Sequence, residues 1–237
     1  DEDRAYNLND LITTPQKANS QINGRGTLDL ICSHLELINI DLELALELGA
    51  STLQQTKKNF MKVHQRLAKG LEQVAAQQYD LVLIDCPSNF NIVTRTALVA
   101  SDHLLVPSKP DYLSTLGIDY LLGSFDNLVQ DYNDFAKFDG SGVHCKIRPK
   151  VAGVFFTMVQ YYRNAPIEAQ SRYIQQAEKQ DFPVFNTFMR EDNVLYSDAG
   201  KNELPIMLQT SSNRVHQAIL NELQLFAEEF INKVGLK

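Results

Sequence analysis

The amino-acid sequence predicts an α/β protein: a doubly wound, mostly parallel sheet with helices on both faces, in a single domain over residues 1–237. Two observations favour this class. Aliphatic runs of strand length, at Leu81–Ile84 and Val151–Phe156, have the continuous hydrophobicity of strands that are buried on both faces. Patterns typical of helices and strands also alternate from residue 53 to residue 132, as they do in βαβ units.

The first third of the chain predicts more helix than strand. A short helix is expected around Leu8–Ile12, and residues 28–31 have the composition of a strand. Residues 35–48 place leucine at alternate positions, which suits a strand, but the same run suits a helix that ends at Gly49. Residues 53–77 carry apolar side chains at helical spacing, which predicts one long amphipathic helix.

The middle of the chain alternates regularly. The sequence predicts a strand at Leu81–Ile84, a helix over residues 91–100, a strand at 103–107 and a helix that begins near 110 and extends to about 132. Residues 137–150 contain two glycines and several charged residues, which indicates a loop.

The last third predicts two more strands and two helices. Val151–Phe156 and Val184–Phe188 are expected to be strands, with a polar helix over residues 164–180 between them. The final helix is expected to start near residues 211–213, because Ser and Asn are favoured N-cap residues. Its predicted core face consists of Val215, Ile219, Leu223, Phe226 or Ala227, Phe230 and Val234.

Composition limits the classes of protein that this chain can represent. The sequence is 44% hydrophobic and has neither a run of 18 apolar residues nor a signal peptide, so we expect a soluble protein of the cytoplasm. Its three cysteines, Cys32, Cys86 and Cys145, are far apart, which argues against a zinc site or a disulfide framework. Glu228 and Glu229 in the final helix would repel anionic lipid, so no membrane anchor is expected.

Net charge bears on nucleic-acid binding. The formal net charge is −7, whereas proteins that bind nucleic acid over their whole surface are usually basic. Any contact with DNA must therefore come from a local patch. Residues 137–150 supply one candidate, with Lys146, Arg148 and Lys150, although a solvated charged loop is an alternative reading of the same residues.

Asp85 is the first candidate for chemistry. It follows the aliphatic run Leu81–Ile84, and in open α/β sheets ligands bind at the carboxyl ends of the strands. A carboxylate in this place is what P-loop ATPases use to hold Mg²⁺ through water, the Walker B role. Pro87 ends the strand, and a simple Asx-type turn is the alternative interpretation.

Several pieces of the chain together resemble the ParA/Soj partition ATPases, relatives of MinD. The resemblance is collinear over nearly the whole chain and resolves residues 35–48 in favour of a helix. It implies a P-loop NTPase-like fold. The matching pieces are Asp85-Cys-Pro-Ser88, Thr96-Ala-Leu98, Ser101-Asp102, Pro107, Leu116-Gly-Ile118, Gly153–Thr157, Asn193 with Ser197-Asp-Ala199, and Leu204-Pro-Ile206.

The chain departs from this family in one large respect. The family's Lys-Gly-Gly-x-Gly-Lys-Thr phosphate loop does not occur in the sequence, and Gly24-Arg-Gly26 lacks the Lys-Thr pair and indicates a turn. The strand that carries Asp-x-Asp-Pro-Gln in the family is missing too. We expect a domain that lacks its N-terminal phosphate-loop strand and helix, in preference to a degenerate protein, because both elements are missing as one block.

The resemblance implies roles for a few residues around ATP and Mg²⁺. Asp85 would be the catalytic carboxylate that holds the magnesium through water, and Pro87 and Ser88 would lie near the γ-phosphate. Asn193 would lie near the adenine and the dimer interface, although turn chemistry explains it equally well. Glu191 and Asp192 stand where the family has Pro and Arg, which puts the adenine contacts in doubt.

The resemblance also implies contacts with DNA. Family members bind DNA non-specifically through basic residues near the last helix, where Arg214 aligns with an arginine of the family and Lys201 lies nearby in sequence. Lys146, Arg148 and Lys150 are the further candidates. Arg214 has an alternative reading, since an exposed arginine at a helix start is commonplace.

The function that the resemblance implies is ATP-dependent DNA partition, in plasmid or chromosome segregation. The protein would form a homodimer with ATP on nucleoid DNA, and a ParB-like partner would stimulate hydrolysis. One alternative is a ParA-like module that binds protein or DNA without nucleotide. Another is a different positioning ATPase of the MinD/ParA class.

Overall fold

The structure is a computed structural model that describes residues 7–75, 79–138, 146–163, 165–210 and 213–236. The chain divides into two compact units. The first unit consists of Asp1–Thr13, Leu30–Asp102 and Leu121–Lys150. The second unit consists of Thr14–Asp29, His103–Tyr120 and Val151–Lys237.

Helices make up most of the described chain. The α-helices are α1 (Gln16–Ile22), α2 (Ile40–Leu48), α3 (Leu53–His64), α4 (Arg66–Ala75), α5 (Ile92–Val99), α6 (Tyr112–Phe138), α7 (Glu168–Ala177), α8 (Asn193–Asn202) and α9 (Arg214–Val234). Short 3₁₀ helices lie at Leu8–Leu11, Leu35–Asn39 and Ile206–Leu208. The strands are β1 (Ile12–Thr13), β2 (Leu30–Ile31), β3 (His103–Ser108), β4 (Lys150–Phe156), β5 (Tyr161–Tyr162) and β6 (Ala165–Pro166).

The parallel sheet of the fold is built on β4. The N–H of Lys150 donates to the Asp102 carbonyl and the N–H of Thr157 to the Ser108 carbonyl, both at 2.9 Å, so β3 and β4 run in the same direction. On the other edge of β4, residues 183–190 form parallel bridges, such as that between Val154 and Val184. The predicted strands at 103–107 and 151–156 are thus confirmed. The strand predicted at Val184–Phe188 is wrong: these residues lie alongside β4 but form only an isolated bridge at Val184.

Aromatic side chains form the core of the second unit. Phe155 on β4 and Phe185 beside it are buried, and Phe226 of α9 stacks on Phe155 with ring centroids 3.9 Å apart. Gly153 has a φ of +150°, and a Cβ at this position would lie 2.9 Å from the Phe185 ring. The predicted packing of α9 is confirmed at Ile219, which is fully buried.

Two carboxylates of α9 accept hydrogen bonds from residues 186–190, the segment that lies alongside β4. Glu229 accepts hydrogen bonds from the backbone N–H groups of Asn186 and Thr187 and from the Thr187 hydroxyl. Glu222, two helical turns earlier, accepts from the backbone N–H, Nε and Nη2 of Arg190 at 3.0, 2.8 and 2.6 Å. Residues 186–190 are therefore fixed between β4 on one side and α9 on the other.

Helices α2 to α5 pack together in the first unit, and a carboxylate joins two of them. Asp41 near the start of α2 accepts hydrogen bonds from the Asn91 side chain and from the N–H of Val93, the latter at 3.2 Å. The Asn91 side chain in turn caps the N–H of Thr94 at 3.0 Å. These contacts satisfy donors at the N-terminus of α5 that the helix itself leaves without partners.

The predicted strand at Leu81–Ile84 is wrong in this structure. Residues 81–87 form no regular element, and none of them makes a backbone–backbone hydrogen bond with a described residue. Leu81, Val82 and Leu83 are 45, 42 and 76% exposed, so the segment is not buried on both faces. Hydrophobic composition alone cannot produce a strand when no described segment pairs with it.

Two further expectations for the first half of the chain need correction. The strand predicted at 28–31 is reduced to Leu30–Ile31, which pairs antiparallel with Ile12–Thr13 and is exposed. The helix predicted over 53–77 is divided into α3 and α4 at Gln65, and residues 76–77 lie outside the described chain. Residues 35–48 are helical, as the resemblance favoured.

The last helices follow the prediction with one exception. The predicted polar helix is α7, and α9 begins after Asn213, whose side chain accepts the N–H of Val215 at 2.8 Å. Ser211 and Ser212 lie outside the described residues. Val215 is exposed and does not belong to the core face, because the first turn of α9 carries the cap. Within the described ranges, no helix is long and apolar enough to cross a membrane.

His64 is a buried titratable group in the first unit. It is fully buried at the end of α3, where its ring stacks on Phe60 with centroids 4.0 Å apart. Its Nδ1 lies 2.9 Å from the Phe60 carbonyl oxygen. Desolvation lowers the pKa of His64, the hydrogen bond to Phe60 acts in the opposite direction, and the Arg95 guanidinium lowers the pKa further.

Stability should therefore depend on the protonation of His64. In the unfolded chain this histidine takes up a proton near its ordinary pKa of about 6.5, whereas in the folded chain it stays neutral to lower pH. Its contribution is fully present above about pH 6.5 and is lost as the pH falls from there through the folded-state pKa. Urea unfolding at about pH 7.5 and about pH 5.5 measures this loss.

A variant separates His64 from other titrating groups. His64→Gln retains a donor for the Phe60 carbonyl but does not titrate, so its stability should change less over this pH interval. His34→Gln changes an exposed histidine and should behave like the unsubstituted protein. Equal pH dependence in His64→Gln and the unsubstituted protein would contradict the assignment.

Candidate functional site

Asp85 lies at the end of the unpaired aliphatic segment, between Ile84 and the residues that lead into α5. Its side chain is exposed and makes no hydrogen bond or ion pair with any described residue. Pro87 and Ser88 follow it directly and are also exposed. The structure thus brings these three predicted residues together, in one segment of the first unit.

Cys86 lies beside Asp85 and is a weak candidate for a nucleophile. Desolvation of the thiol, and then the charge of the Asp85 carboxylate, raise the pKa of Cys86. The thiolate is the reactive form, and a raised pKa reduces its population at neutral pH. The raised pKa therefore argues against a nucleophilic role for the Cys86 thiol.

The residues around Asp85 fit magnesium but not the phosphates of a nucleotide. The exposed carboxylate of Asp85 and the hydroxyl of Ser88, three residues later, have oxygen atoms of the kind that suit a hydrated Mg²⁺. Mg²⁺ usually keeps several of its waters. The described chain holds no group of three or more His, Cys, Asp and Glu side chains that could cage a metal. Phosphates need free backbone N–H groups, and those of Val93 and Thr94 in α5 are already bonded to Asp41 and Asn91.

Gly24-Arg-Gly26 does not supply the missing phosphate site. Asn23 and Gly24 have φ values of 54° and 74°, and α1 ends at this point. The positive φ values are those of a helix C-terminal turn, as the sequence indicated. Helix N-termini bind anions, so the end of α1 has the wrong polarity for phosphate.

Asn193 is the first residue of α8 and is exposed. The N-cap is Asp192, whose carboxylate accepts the N–H of Leu195 at 2.8 Å. The alternative role of Asn193 as a turn or cap residue is therefore filled by Asp192. This leaves the Asn193 side chain available for a contact outside the helix.

The chain that leads to Asn193 is held by a charged cluster that the sequence analysis did not identify. Arg190 is paired with Glu222 and lies over the ring of Tyr161, 4.8 Å from its centroid. Desolvation, and then the charge of Glu222, raise the pKa of both Tyr161 and Tyr196. No sequence signal links Arg190 to Glu222, because 32 residues separate them.

The basic candidates around residue 148 lie in the segment that leads into β4 and at the first residue of β4, Lys150. Asn133 donates to the Ile147 carbonyl and accepts the Ile147 N–H, at 3.0 and 2.9 Å, which fixes this segment against α6. Lys146, Arg148 and Lys150 are all exposed, whereas Ile147 and Pro149 between them are half-buried. These three exposed cations lie within five residues of the chain, and residues 139–145 lie outside the described residues.

The remaining basic candidates lie on helices of the second unit. Lys201 is in the last turn of α8, and Arg214 is the first residue of α9. Both residues are exposed. They occupy different elements, so they do not form one cationic run of the kind that precedes β4.

Comparison with known proteins identifies the family. A family model described as an AAA domain matches residues 2–138, which is more than half of the chain. Soj of Bacillus subtilis, a sporulation initiation inhibitor protein, is 27% identical over 196 residues, or 82% of this chain and 64% of Soj. The chromosome-partitioning ATPase Soj of Treponema pallidum is 25% identical over 187 residues, 76% of this chain and 64% of that protein.

The chain belongs to the ParA/Soj-type partition ATPase family.

This ParA/Soj-type chain also resembles solved structures of one protein, McdA of Cyanothece. It aligns with the ATP complex of a McdA variant at a TM-score of 0.61 and 14% identity, covering 88% of this chain and 66% of that one. Apo McdA aligns with a TM-score of 0.60, covering 85% and 67%. These likenesses confirm the predicted α/β P-loop NTPase-like fold. The ParA/Soj-type chain spans 64% of the length of each Soj protein that it matches.

Proposed function

We propose that this chain is part of an ATP-dependent DNA-partition protein that dimerises with ATP and binds DNA non-specifically. The observation that carries the proposal is the exposed carboxylate of Asp85 at the end of the aliphatic segment Leu81–Ile84. Membership of the ParA/Soj family supports it. The protein would act on the nucleoid in the cytoplasm, with a ParB-like partner that stimulates hydrolysis and without a membrane.

The phosphate-loop strand and helix are proposed to come from chain that is not part of this sequence. The exposure of Leu81, Val82 and Leu83 supports this, since an unpaired apolar segment is what remains of a buried strand without its neighbour. Leu30 and Ile31 of β2 are exposed in the same manner. The coding sequence that precedes Asp1 tests the proposal directly, because it should encode the Lys-Gly-Gly-x-Gly-Lys-Thr loop.

The described residues would contribute to nucleotide binding as follows. Asp85 would accept hydrogen bonds from the water shell of Mg²⁺, which when bound neutralises the charge of the phosphates. Pro87 and Ser88 would border the same position, and Asn193 would contact the nucleotide base or the dimer partner. The hydrogen bonds from Arg190 to Glu222 support a fixed position for the chain that leads to Asn193.

DNA binding is proposed for the exposed side chains of Lys146, Arg148 and Lys150, with Arg214 and Lys201 as further candidates. Basic side chains that contact phosphates release counterions, so binding would be weak, independent of sequence and sensitive to salt. The net charge of −7 requires such a local surface.

Retention of the protein on DNA tests this function. With a phosphate loop present, ATP and Mg²⁺ should increase binding to random-sequence DNA, and Asp85→Asn should weaken that ATP-dependent binding about ten-fold or more. Asp80→Asn is the matched control, because Asp80 is an exposed aspartate five residues earlier. Binding that does not respond to ATP in the unsubstituted protein would contradict the proposal.

A second candidate function is a ParA-like binding module that works without nucleotide. The capped N-terminus of α5 favours it, since no free phosphate cradle lies beside Asp85 in the described chain. A MinD/ParA-class ATPase that positions another cargo is a related alternative. ATP-independent DNA binding by the unsubstituted protein would favour the module.

A further inference from the structure

The solvent-exposed side of α3 and α4 carries a row of four cations. They follow one another at intervals of four, four and three residues, so at about 100° per residue they fall within an arc of about 80° around the helix. All four are exposed, and we call them the α3–α4 stripe: Lys58, Lys62, Arg66 and Lys69. Val63 and His64, on the opposite side, are fully buried, so the packing of the helices directs the stripe towards solvent.

The α3–α4 stripe continues across the division between the two helices. The backbone at Gln65 stays in the right-handed helical region, with φ of −85° and ψ of −8°, and its carbonyl accepts the N–H of Lys69 at 3.0 Å. The Glu47 carboxylate of α2 lies 3.9 Å from Nζ of Lys62 and 2.8 Å from Nη2 of Arg66. A single carboxylate can reach both cations only because they lie on the same side.

The two ends of the α3–α4 stripe have no counter-charge in the described chain. Glu47 serves Lys62 and Arg66, whereas Lys58 and Lys69 form no ion pair with any described residue. Cations that recur along one helix face create a positive local potential, which attracts an anionic partner even on a protein whose net charge is −7.

Two exposed leucines of α2 border the α3–α4 stripe. Leu42 and Leu46 are 68 and 75% exposed, and their spacing of four residues puts them on the same side of α2. Glu47 follows Leu46 directly and contacts Arg66, and α2 packs against α3 in the same unit. The surface therefore combines an apolar part on α2 with a cationic part on α3 and α4.

We propose that this surface binds an acidic amphipathic segment of another protein. Its apolar side chains would pack on Leu42 and Leu46, and its carboxylates would pair with the α3–α4 stripe. A helix with carboxylates at every third or fourth residue matches the spacing of the stripe. The stripe is about 17 Å long, so about three helical turns of the partner are sufficient. The proposal adds a protein-binding surface to the function proposed above and does not depend on that function.

Nucleic acid and anionic lipid fit this surface less well. Glu43 is exposed and lies one turn before Glu47, so around α2 these two glutamates come between the stripe and the leucines. DNA carries one charge for about every 1.7 Å of its axis and offers its phosphates no way to avoid the glutamates. A plane of anionic lipid headgroups meets the same repulsion. A protein segment carries separate charges, which can lie over the cations and leave Glu43 beside an uncharged residue.

Binding of a synthetic peptide to the full chain tests the proposal by fluorescence anisotropy. The probe is a labelled helix of about 14 residues with leucines at i and i+4 and glutamates on the adjoining side. It should bind, and more weakly as salt rises, because exposed ion pairs are screened. A peptide with serine in place of the leucines, and one with lysine in place of the glutamates, should each bind about ten-fold more weakly or less tightly still. Equal binding of all three peptides, or no binding of the acidic one, would overturn the proposal.

Charge reversal locates the binding surface. Lys58→Glu combined with Lys69→Glu should weaken peptide binding about ten-fold or more, and neither lysine has an ion pair that the fold would lose. Lys109→Glu combined with Lys179→Glu is the matched control, since both are exposed lysines of the second unit and the change in net charge is the same. Equal effects of the two pairs would show that only net charge matters and would contradict the assignment.

Two further measurements distinguish other occupants of this surface. With random-sequence DNA, and with vesicles of phosphatidylserine and phosphatidylcholine, the Lys58 and Lys69 reversals should have no more effect than the control pair. A larger effect on either, without an effect on the peptide, would assign the stripe to that polyanion and overturn the proposal. Should the double reversal fail to fold, the peptide with a benzophenone group should cross-link to α2, α3 or α4 of the unsubstituted chain, and cross-links elsewhere would refute the location.

Discussion

Glu222→Ala is expected to lower the free energy of unfolding by about 3 kcal/mol, which is more than a hundred-fold in the folding equilibrium. The carboxylate is largely buried and accepts three hydrogen bonds from Arg190. Its removal would leave a partly buried guanidinium without a counter-charge and the N–H of Arg190 without an acceptor. Urea denaturation of the two proteins measures the difference.

Two variants on the same helix make this result specific. Glu228→Ala removes an exposed carboxylate that, among the described residues, accepts a hydrogen bond only from the Gln224 side chain, at 3.0 Å. It should change stability by no more than about 0.5 kcal/mol. Glu222→Gln keeps the size of the side chain and one hydrogen-bond acceptor. Its loss of stability should therefore lie between those of Glu222→Ala and Glu228→Ala. If Glu222→Ala were no more destabilising than Glu228→Ala, the ion pair between Arg190 and Glu222 would not stabilise the fold.

Gly153→Ala should destabilise the protein by a similar amount, about 3 kcal/mol, for a steric reason. A Cβ at Gly153 would lie 2.9 Å from Cε2 of Phe185 and 3.0 Å from the carbonyl oxygen of Pro183. That oxygen cannot move away cheaply, because it accepts the N–H of Val154 at 2.8 Å. The φ of +150° adds strain for any residue with a side chain.

Gly123→Ala is the control for Gly153→Ala. It lies within α6 and has no heavy atom within 4 Å of the added Cβ, so alanine should be neutral or stabilise the helix by up to about 1 kcal/mol. Thermal or urea unfolding measures the stability of both variants, and only Gly153→Ala should be less stable than the unsubstituted protein. Equal stability of Gly153→Ala and the unsubstituted protein would show that the β4 region can relax around the new methyl group.

Local sequence patterns predicted the elements whose formation depends on local contacts. Helix α5, strand β3 and helix α6 combine a clear period with a capping residue or a proline boundary, and all three begin where the sequence indicated. Helix α6 continues to Phe138, beyond its predicted end near residue 132. Leu81–Ile84 has a comparably strong pattern, yet it is not a strand. A strand also needs a neighbour to receive its hydrogen bonds, and a single segment carries no information about that neighbour.

The candidate site was predictable only in part, for a similar reason. Asp85, Pro87 and Ser88 share one segment, so their proximity follows from sequence. The cap of α5 by Asp41, 52 residues before Val93, could not be read from any local pattern. The division of the helix predicted over 53–77 coincides with a hydrogen bond from Gln65 to the Tyr132 hydroxyl, which again joins distant parts of the chain.

Lys146, Arg148 and Lys150 are exposed cations on a protein whose net charge is −7. Three cations at every second residue span at most about 13 Å of chain. At physiological ionic strength the Debye length is about 8 Å, so a phosphate at this face is screened from much of the acidic remainder of the protein. Near 10 mM salt the Debye length grows to about 30 Å, and the net charge of −7 would then oppose the approach. If these residues bind DNA as proposed, the affinity should consequently pass through a maximum at intermediate salt.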